Sequence, residues 1–210
     1  MKKCIIIGAG DFFGMPVKIS GSDLVIAADG GYKHCLGCGI TPDTVIGDLD
    51  SLGDRPGGCA LLRLPVEKDD TDTLAAIRYG LQEGCEEFHI IGGTGGRFDH
   101  TVANMQSLVF LSKQSKKGFL YGKDHIVTAV TDRSIAFPEN ASGTVSVFSA
   151  GDKAEGVYET GLKYSLSDSV VTNDFPIGVS NSFTGEKSLI TVKKGTLYII
   201  YPIGIGCEII

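Results

Sequence analysis

Through the first 120 or so residues, short apolar runs alternate with stretches whose apolar positions recur at helical spacing. Cys4 to Ile7 and Leu24 to Ala28 read as buried strands, each closed by a glycine or an Asp-Gly turn. Thr44 to Ile46, Ala60 to Leu64 and Phe88 to Ile91 are further strand candidates. Leu74, Ile77 and Leu81 share one helical face, which predicts an amphipathic helix over residues 71–83. Val102, Met105, Leu108 and Val109 mark another after residue 99. The alternation predicts a layered, Rossmann-like α/β domain over residues 1–122. From 123 to 210 helical periodicity disappears. Ile126 to Thr131, Gly143 to Phe148, Ser188 to Val192 and Leu197 to Tyr201 are short β-rich segments between Gly, Asn, Asp and Ser turns, the pattern of a small antiparallel sandwich or barrel.

Composition adds one feature. Hydrophobic and charged residues make up an ordinary 42% and 21% of the 210, but there are 29 glycines, roughly twice the usual ~7%. Without a collagen period, such an excess points to sharp turns and close backbone approach to a ligand. A net charge of −6, with acids in both halves, gives no basic footprint for nucleic acid. Only four apolar residues follow Lys2 and Lys3 before Gly8, too few for a secretory core, and no run approaches the ~20 residues that span a bilayer. A cytoplasmic protein without a membrane partner is expected. Six cysteines are scattered; Cys35-x-x-Cys38 has no second pair at zinc-ribbon spacing and lies in what reads as a short helix ending at Gly39. Free thiols are the expectation.

Three segments carry candidate chemistry. Asp48 and Asp50 straddle one residue just after a strand; such a pair repels unless a cation sits between, and hard oxygen ligands suit Mg²⁺. A polar turn with two solvated aspartates is the alternative. Asp69, Asp70 and Asp72 crowd the start of the amphipathic helix, where one of them is expected to serve as the cap. In an open α/β sheet both clusters fall at the carboxyl ends of strands, where ligands gather. Gly92-Gly93-Thr94-Gly95-Gly96-Arg97 joins a strand to a helix, an arrangement that offers backbone N–H groups and a forked cation to an anion. Asp99 either caps that helix or orients Arg97.

Gly8-Ala9-Gly10 begins like a dinucleotide fingerprint, but position 13 is Phe13. Asp29-Gly30-Gly31 either contacts a nucleotide or turns the chain. His34, His89, His100 and His125 lack metal-ligand spacing, and neither a P-loop nor a G-x-S-x-G elbow occurs. What remains fits metal-assisted phosphoryl or pyrophosphoryl transfer. Two rivals are a haloacid-dehalogenase-like phosphatase, suggested by Asp48-x-Asp50, and a binding regulator without turnover.

The ordered motifs ADGG (Ala28 to Gly31), TPDTVIGDLDS (Thr41 to Ser51), KDDTDTLAAI (Lys68 to Ile77), GGTGGRFDHTVANM (Gly92 to Met105), GLKYSL (Gly161 to Leu166) and SNSF (Ser180 to Phe183) closely resemble those of the thiamin pyrophosphokinases. The resemblance implies an α/β catalytic domain followed by a β-sandwich. It further implies a homodimer whose sites lie between the catalytic domain of one subunit and the sandwich of the other. The implied reaction moves pyrophosphate from ATP to the hydroxyl of thiamin, with Mg²⁺ as cofactor and AMP as the second product. Carried over by position, Asp48, Asp50 and Asp72 hold Mg²⁺ and the ATP phosphates, with Asp69 assisting, while Arg97 and Gly93, Thr94, Gly95 and Gly96 neutralise the triphosphate. Asp29, Gly30, Gly31, Thr71, Asp99 and Asn104 complete the implied nucleotide site, and Tyr164, Ser180, Asn181 and Phe183 meet thiamin. The family often has tryptophan in the GLKW segment; here Tyr164 stands there and the chain has no tryptophan.

Overall fold

The computed structural model describes residues 1–47, 59–63 and 70–210. The chain divides into two compact units, Met1–Ser107 with Gly118–Lys123, and Leu108–Lys117 with Asp124–Ile210.

In the first unit β1 (Lys3–Ile7), β2 (Leu24–Ala28), β3 (Thr44–Gly47), β4 (Ala60–Arg63), β5 (Glu87–Ile91) and β6 (Lys117–Tyr121) lie in the order β6-β5-β1-β2-β3-β4. The pairs from β5 to β4 are all parallel. Consecutive residues of β1, from Cys4 to Ile7, are wholly buried, as expected of a parallel strand covered on both faces. The helices are α1 (Gly31–Gly37), α2 (Asp72–Gln82) and α3 (Phe98–Lys113), whose first part, to Ser107, belongs to this unit. α2 buries Ala76, Ile77 and Gly80. A Cβ on Gly80 would stand 2.7 Å from Cys4 Sγ and 2.8 Å from the Phe88 ring, so only glycine lets the helix ride this close to β1 and β5.

The strand order positions the site. From β1 the chain steps outward through β2, β3 and β4, then returns by α2 to β5 on the other side of β1. The order therefore reverses between β1 and β5, the place where open α/β sheets bind ligands. The loops that leave these two strands run side by side: Gly8 N–H donates to Ile91 O (2.8 Å), Gly10 N–H to Gly92 O (2.7 Å) and Asp11 N–H to Thr94 O (2.9 Å). A Cβ on Gly8 would lie 2.7 Å from Gly92 O, and one on Gly10 2.6 Å from Thr94 O. The G-x-G pattern is thus accounted for by loop packing. A Cβ on Gly31, at the start of α1, would overlap the Ile7 carbonyl.

The second unit is all antiparallel: β7 (His125–Thr131), β8 (Ser134–Phe137), β9 (Thr144–Ser149), β10 (Lys153–Thr160), β11 (Leu166–Thr172), β12 (Asn181–Ser182), β13 (Ser188–Lys194), β14 (Thr196–Pro202) and β15 (Glu208–Ile209). They form two sheets, β12-β9-β14-β7 and β11-β10-β13-β8-β15. β10 touches β14 and β13 touches β7, so the sheets face one another as a sandwich. Val145, Val147, Leu197 and Ile199 from one sheet and Ile135, Phe137, Val157 and Ile190 from the other fill the core. In β10 the pairing with β11 slips between Ala154 and Val157, at Gly156 (φ +64°). It slips again between Val157 and Glu159, while the pairing with β13 stays in register from Glu155 to Thr160. Val157 and Glu159 lie inside, opposite the buried Val192 and Ile190.

Gly31→Ala is expected to destabilise the first unit by about 3 kcal/mol, because the displaced atom is backbone and cannot rotate away. Urea denaturation followed by far-ultraviolet circular dichroism measures it; an unchanged midpoint contradicts the close approach.

Candidate active site

The loop between β5 and α3 has a buried half and an exposed half. Gly93 is packed so tightly that a Cβ would lie 2.8 Å from both Ile90 Cγ2 and Leu120 Cδ1. Its carbonyl accepts a hydrogen bond from Asn104 Nδ2 (2.7 Å), and Thr94 Oγ1 donates to Tyr121 O (3.3 Å). Both side chains are buried and anchor the loop to α3 and β6. From Gly95 the chain emerges into solvent. Gly95 (φ +77°) and Gly96 (φ +57°) adopt left-handed backbone that an L side chain resists. A Cβ on Gly95 would also run into the Asp11 carboxylate. The exposed Arg97 is held by Asp99, with Nε donating to Oδ1 (3.2 Å) and Nη2 to Oδ2 (2.6 Å). These bonds hold the Asp99 carboxyl below the usual carboxylate range. Three of the five guanidinium N–H donors stay outside this pair, next to the positive end of α3. Asp99 is not the helix cap: α3 starts at Phe98, which places Asp99 in the first turn, where a carboxylate complements the helix dipole.

The cap at the other helix start also differs from expectation. Thr71, not an aspartate, caps α2, its Oγ1 accepting from Leu74 N–H (3.2 Å). Threonine adopts the extended conformation the cap needs, at φ −70° and ψ 156°. Asp70 pairs instead with Arg78 (2.9 Å), and Asp72 occupies the first turn of α2. Because α2 leads back to β5, parallel to β1, its N-terminus lies at the carboxyl edge of the sheet, the edge from which the Gly92–Arg97 loop emerges. Asp29, at the end of β2, takes a left-handed turn (φ 48°), and its N–H donates to Ile46 O (2.8 Å). Gly30 and Gly31 follow directly into α1. Asp48, Asp50 and Asp69 lie outside the described residues. Among the described residues no three His, Cys, Asp or Glu side chains converge as metal ligands.

In the sandwich, Asn181 uses its whole amide. Oδ1 accepts from Tyr164 N–H (3.0 Å) and Ser182 N–H (2.8 Å), while Nδ2 donates to Tyr164 O (2.6 Å) and Glu159 Oε2 (2.7 Å). The side chain thereby grips the backbone of Tyr164 on both sides. Tyr164 stays 61% exposed, with Lys163 Nζ 5.3 Å from its ring centroid. Phe183 is buried edge-on against Phe137 (5.0 Å). Ser180 is exposed in left-handed backbone (φ 59°), its N–H donating to Ser146 Oγ (3.0 Å). Ser146 also lines an open hollow of about 370 Å³ with Asp124, His125 and Thr144.

Two family models match. Residues 17–120 match the thiamin pyrophosphokinase catalytic domain, and residues 133–197 match the thiamin pyrophosphokinase vitamin B1 binding domain. The chain belongs to the thiamin pyrophosphokinase family. A thiamine pyrophosphokinase of Bacillus subtilis is 28% identical over 185 residues, covering 84% of this chain and 86% of its own. A thiamin pyrophosphokinase 1 of Caenorhabditis elegans is 22% identical, with 76% and 70% covered. The same fold occurs in a crystal structure of thiamine pyrophosphokinase from Bacillus subtilis (TM-score 0.85, 22% identity, 96% and 99% covered) and in thiamin pyrophosphokinase from Candida albicans (TM-score 0.76, 15% identity, 96% and 88% covered).

Against this family frame, the residues singled out by the motifs divide by exposure. Gly95, Gly96, Arg97, Asp99, Tyr164 and Ser180 are open to solvent, Asp29, Gly30, Thr71 and Asp72 are half-buried, and Gly31, Gly93, Thr94, Asn104, Asn181 and Phe183 are buried. Of these, Thr94 and Asn104 anchor the glycine loop and Asn181 holds the backbone of Tyr164. Two acidic residues escaped the sequence reading. Asp11 abuts Gly95, in a segment set aside as a broken fingerprint. Glu159 is 1% exposed, and its Oε1 has no hydrogen-bond partner. Burial pushes the Glu159 carboxyl above its ordinary 4.5, and the Asn181 hydrogen bond only partly offsets this.

A raised carboxyl pKa means that the folded state resists ionisation, so the group begins to weaken the fold as pH rises through the unfolded value of about 4.5, and the penalty is complete above the folded value. That penalty vanishes below about 4.5, where folded and unfolded chains are both protonated. Glu159→Gln is therefore expected to raise the melting temperature of the sandwich by roughly 2–4 °C at pH 8. The gain should close as pH approaches 4, a trend that thermal scans across pH follow directly. Thr71→Ala should cost about 1 kcal/mol of stability through loss of the α2 cap.

Proposed function

We propose that this chain is a magnesium-dependent thiamin pyrophosphokinase that moves the β,γ-pyrophosphoryl group of ATP to the hydroxyl of thiamin. The observation that carries this reading is the exposed start of α3. Gly95, Gly96 and Arg97 stand at the carboxyl end of the strand beside the switch point, in a chain that carries both the catalytic and the vitamin B1 binding domains of the family. Backbone N–H groups, the helix dipole and the guanidinium all favour a polyphosphate there. Asp29, Gly30 and Gly31, at the end of β2, lie along the same edge and would flank the nucleotide, with Asp99 holding Arg97 in place.

The donors fit Mg²⁺. Asp72 is in the first turn of α2 while Asp70 is engaged by Arg78, and Asp48 follows directly on the last residue of β3. Asp48, Asp50 and Asp72, with Asp69 assisting, would hold the ion through carboxylate oxygens, the ligands it prefers. When bound, Mg²⁺ would neutralise phosphate charge that otherwise repels the incoming oxygen. The thiamin oxygen bonds to the β-phosphorus, the bond from that phosphorus to the bridging oxygen breaks, AMP leaves with that oxygen, and the hydroxyl proton is released. Arg97 and the loop amides meet the charge that develops during this exchange. Tyr164 would offer its exposed aromatic face to the cationic thiazolium, with its backbone held by Asn181, and Ser180, the exposed neighbour of Asn181 in the chain, and Phe183 would complete the thiamin surface.

We further propose a cytoplasmic homodimer in which the nucleotide site of one subunit meets the sandwich of the other, as the family resemblance implies. Among the described residues no helix is long and apolar enough to cross a membrane. The phosphatase reading is disfavoured because Asp48 follows the third strand rather than the first and the sandwich would have no role.

The test is a reconstitution with ATP, Mg²⁺ and thiamin, each omitted in turn. AMP and thiamin pyrophosphate should form in equal amounts only when all three are present. Asp48→Asn and Asp72→Asn should each lower turnover at least about 100-fold without unfolding the protein. Asp70→Asn, which loosens only the pair with Arg78, should lower it less than about threefold. Full activity in Asp72→Asn removes that residue from the metal site.

A further inference from the structure

β10 carries a carboxylate where its sandwich neighbours carry apolar side chains. Cross-strand from Glu159 stands Ile190, and Val157 precedes it on the same inward face. From this position Glu159 reaches Asn181 on β12, a strand of the facing sheet. A neutral acceptor would hold the Asn181 amide equally well, since only one oxygen is used. The carboxylate instead leaves Oε1 buried and unpaired, which a neutral tie would avoid. Two short hydrogen bonds, 2.7 Å and 2.6 Å, join Glu159 through Asn181 Nδ2 to the backbone of Tyr164. The face of that tyrosine already attracts a cation, Lys163 Nζ. Negative charge held in a low-dielectric core acts over a longer distance than the same charge in water.

We propose that Glu159 is a specificity-determining positioning residue: its carboxylate, seated behind the Asn181–Tyr164 clamp, selects a positively charged ring on the exposed face of Tyr164. The inference rests on the reading of that surface as the thiamin site and adds the feature of the substrate that it recognises, the fixed charge of the thiazolium. Glu159 touches no ligand itself; it fixes the clamp and supplies the potential. Thiamin would displace the Lys163 ammonium and take its place over the ring.

The experiment is calorimetric titration of the full-length wild type and of Glu159→Gln with two ligands: thiamin, and a thiamin analogue whose thiazolium is replaced by a neutral thiophene. Glutamine keeps an oxygen for Asn181, so the clamp survives while the charge is lost. The dissociation constant for thiamin should rise roughly tenfold in Glu159→Gln, while that for the neutral analogue stays within about twofold. Equal weakening of both ligands overturns the inference, because Glu159 would then act only through the clamp. Unchanged affinity for both overturns it as well. A wild type that binds neither ligand overturns the proposed function together with the inference, and its flat titration distinguishes that case. Asn181→Ala, which removes the clamp and keeps the charge, should weaken both ligands together; selective weakening of thiamin in this variant also contradicts the assignment.

Discussion

The arrangement of the candidate site depends on one seam, the row of backbone hydrogen bonds that carries the β1–β5 pairing past the ends of both strands. Gly8, Gly10 and Asp11 donate to Ile91, Gly92 and Thr94, and the carbonyls come so near that neither Gly8 nor Gly10 can carry a side chain. The seam fixes where the Gly92–Arg97 loop leaves the sheet. Asn104 and Thr94 then pin its first half, so that the second half meets solvent with its amides and Arg97 already arranged. A loop ordered before the anion arrives need not lose that freedom on binding. This explains why so many of the chain's glycines serve packing rather than flexibility.

The sandwich uses a side-chain amide to the same end. Asn181 has two donors and two acceptor sites, and all four are taken; two of them clasp one residue, Tyr164. An aromatic ring on an exposed turn would otherwise sample several orientations. Here its backbone is fixed from inside the fold, and the clamp is tied in turn to a buried carboxylate. Burying that charge costs stability, a pattern common where structure serves binding.

Much of this was legible in the sequence because the signals were local. The strands from Cys4 to Ile7 and Leu24 to Ala28, and the helix carrying Leu74, Ile77 and Leu81, occur where apolar spacing puts them. The Gly92–Arg97 loop lies between a strand and a helix as its composition indicates. Finer points depended on neighbours that spacing does not reveal. Thr71 rather than an aspartate caps α2, while Asp70, one residue before the cap, pairs with Arg78 about two turns along. Asn104, which motif position places near phosphate, is engaged with the Gly93 carbonyl. Glu159 was hidden by its own charge, since a carboxylate in a strand reads as solvent-facing. It instead lies inside, opposite the buried Ile190 and on the face of Val157. Its spacing of two from the apolar Val157 was the available signal.

The central claim is that a pyrophosphoryl group moves as one piece to thiamin. It is tested most directly by following ATP labelled separately at the β- and γ-phosphorus. The account predicts that both labels appear together in the thiamin ester and that the AMP released carries neither. Transfer of the γ-label alone, with ADP as the second product, would contradict it.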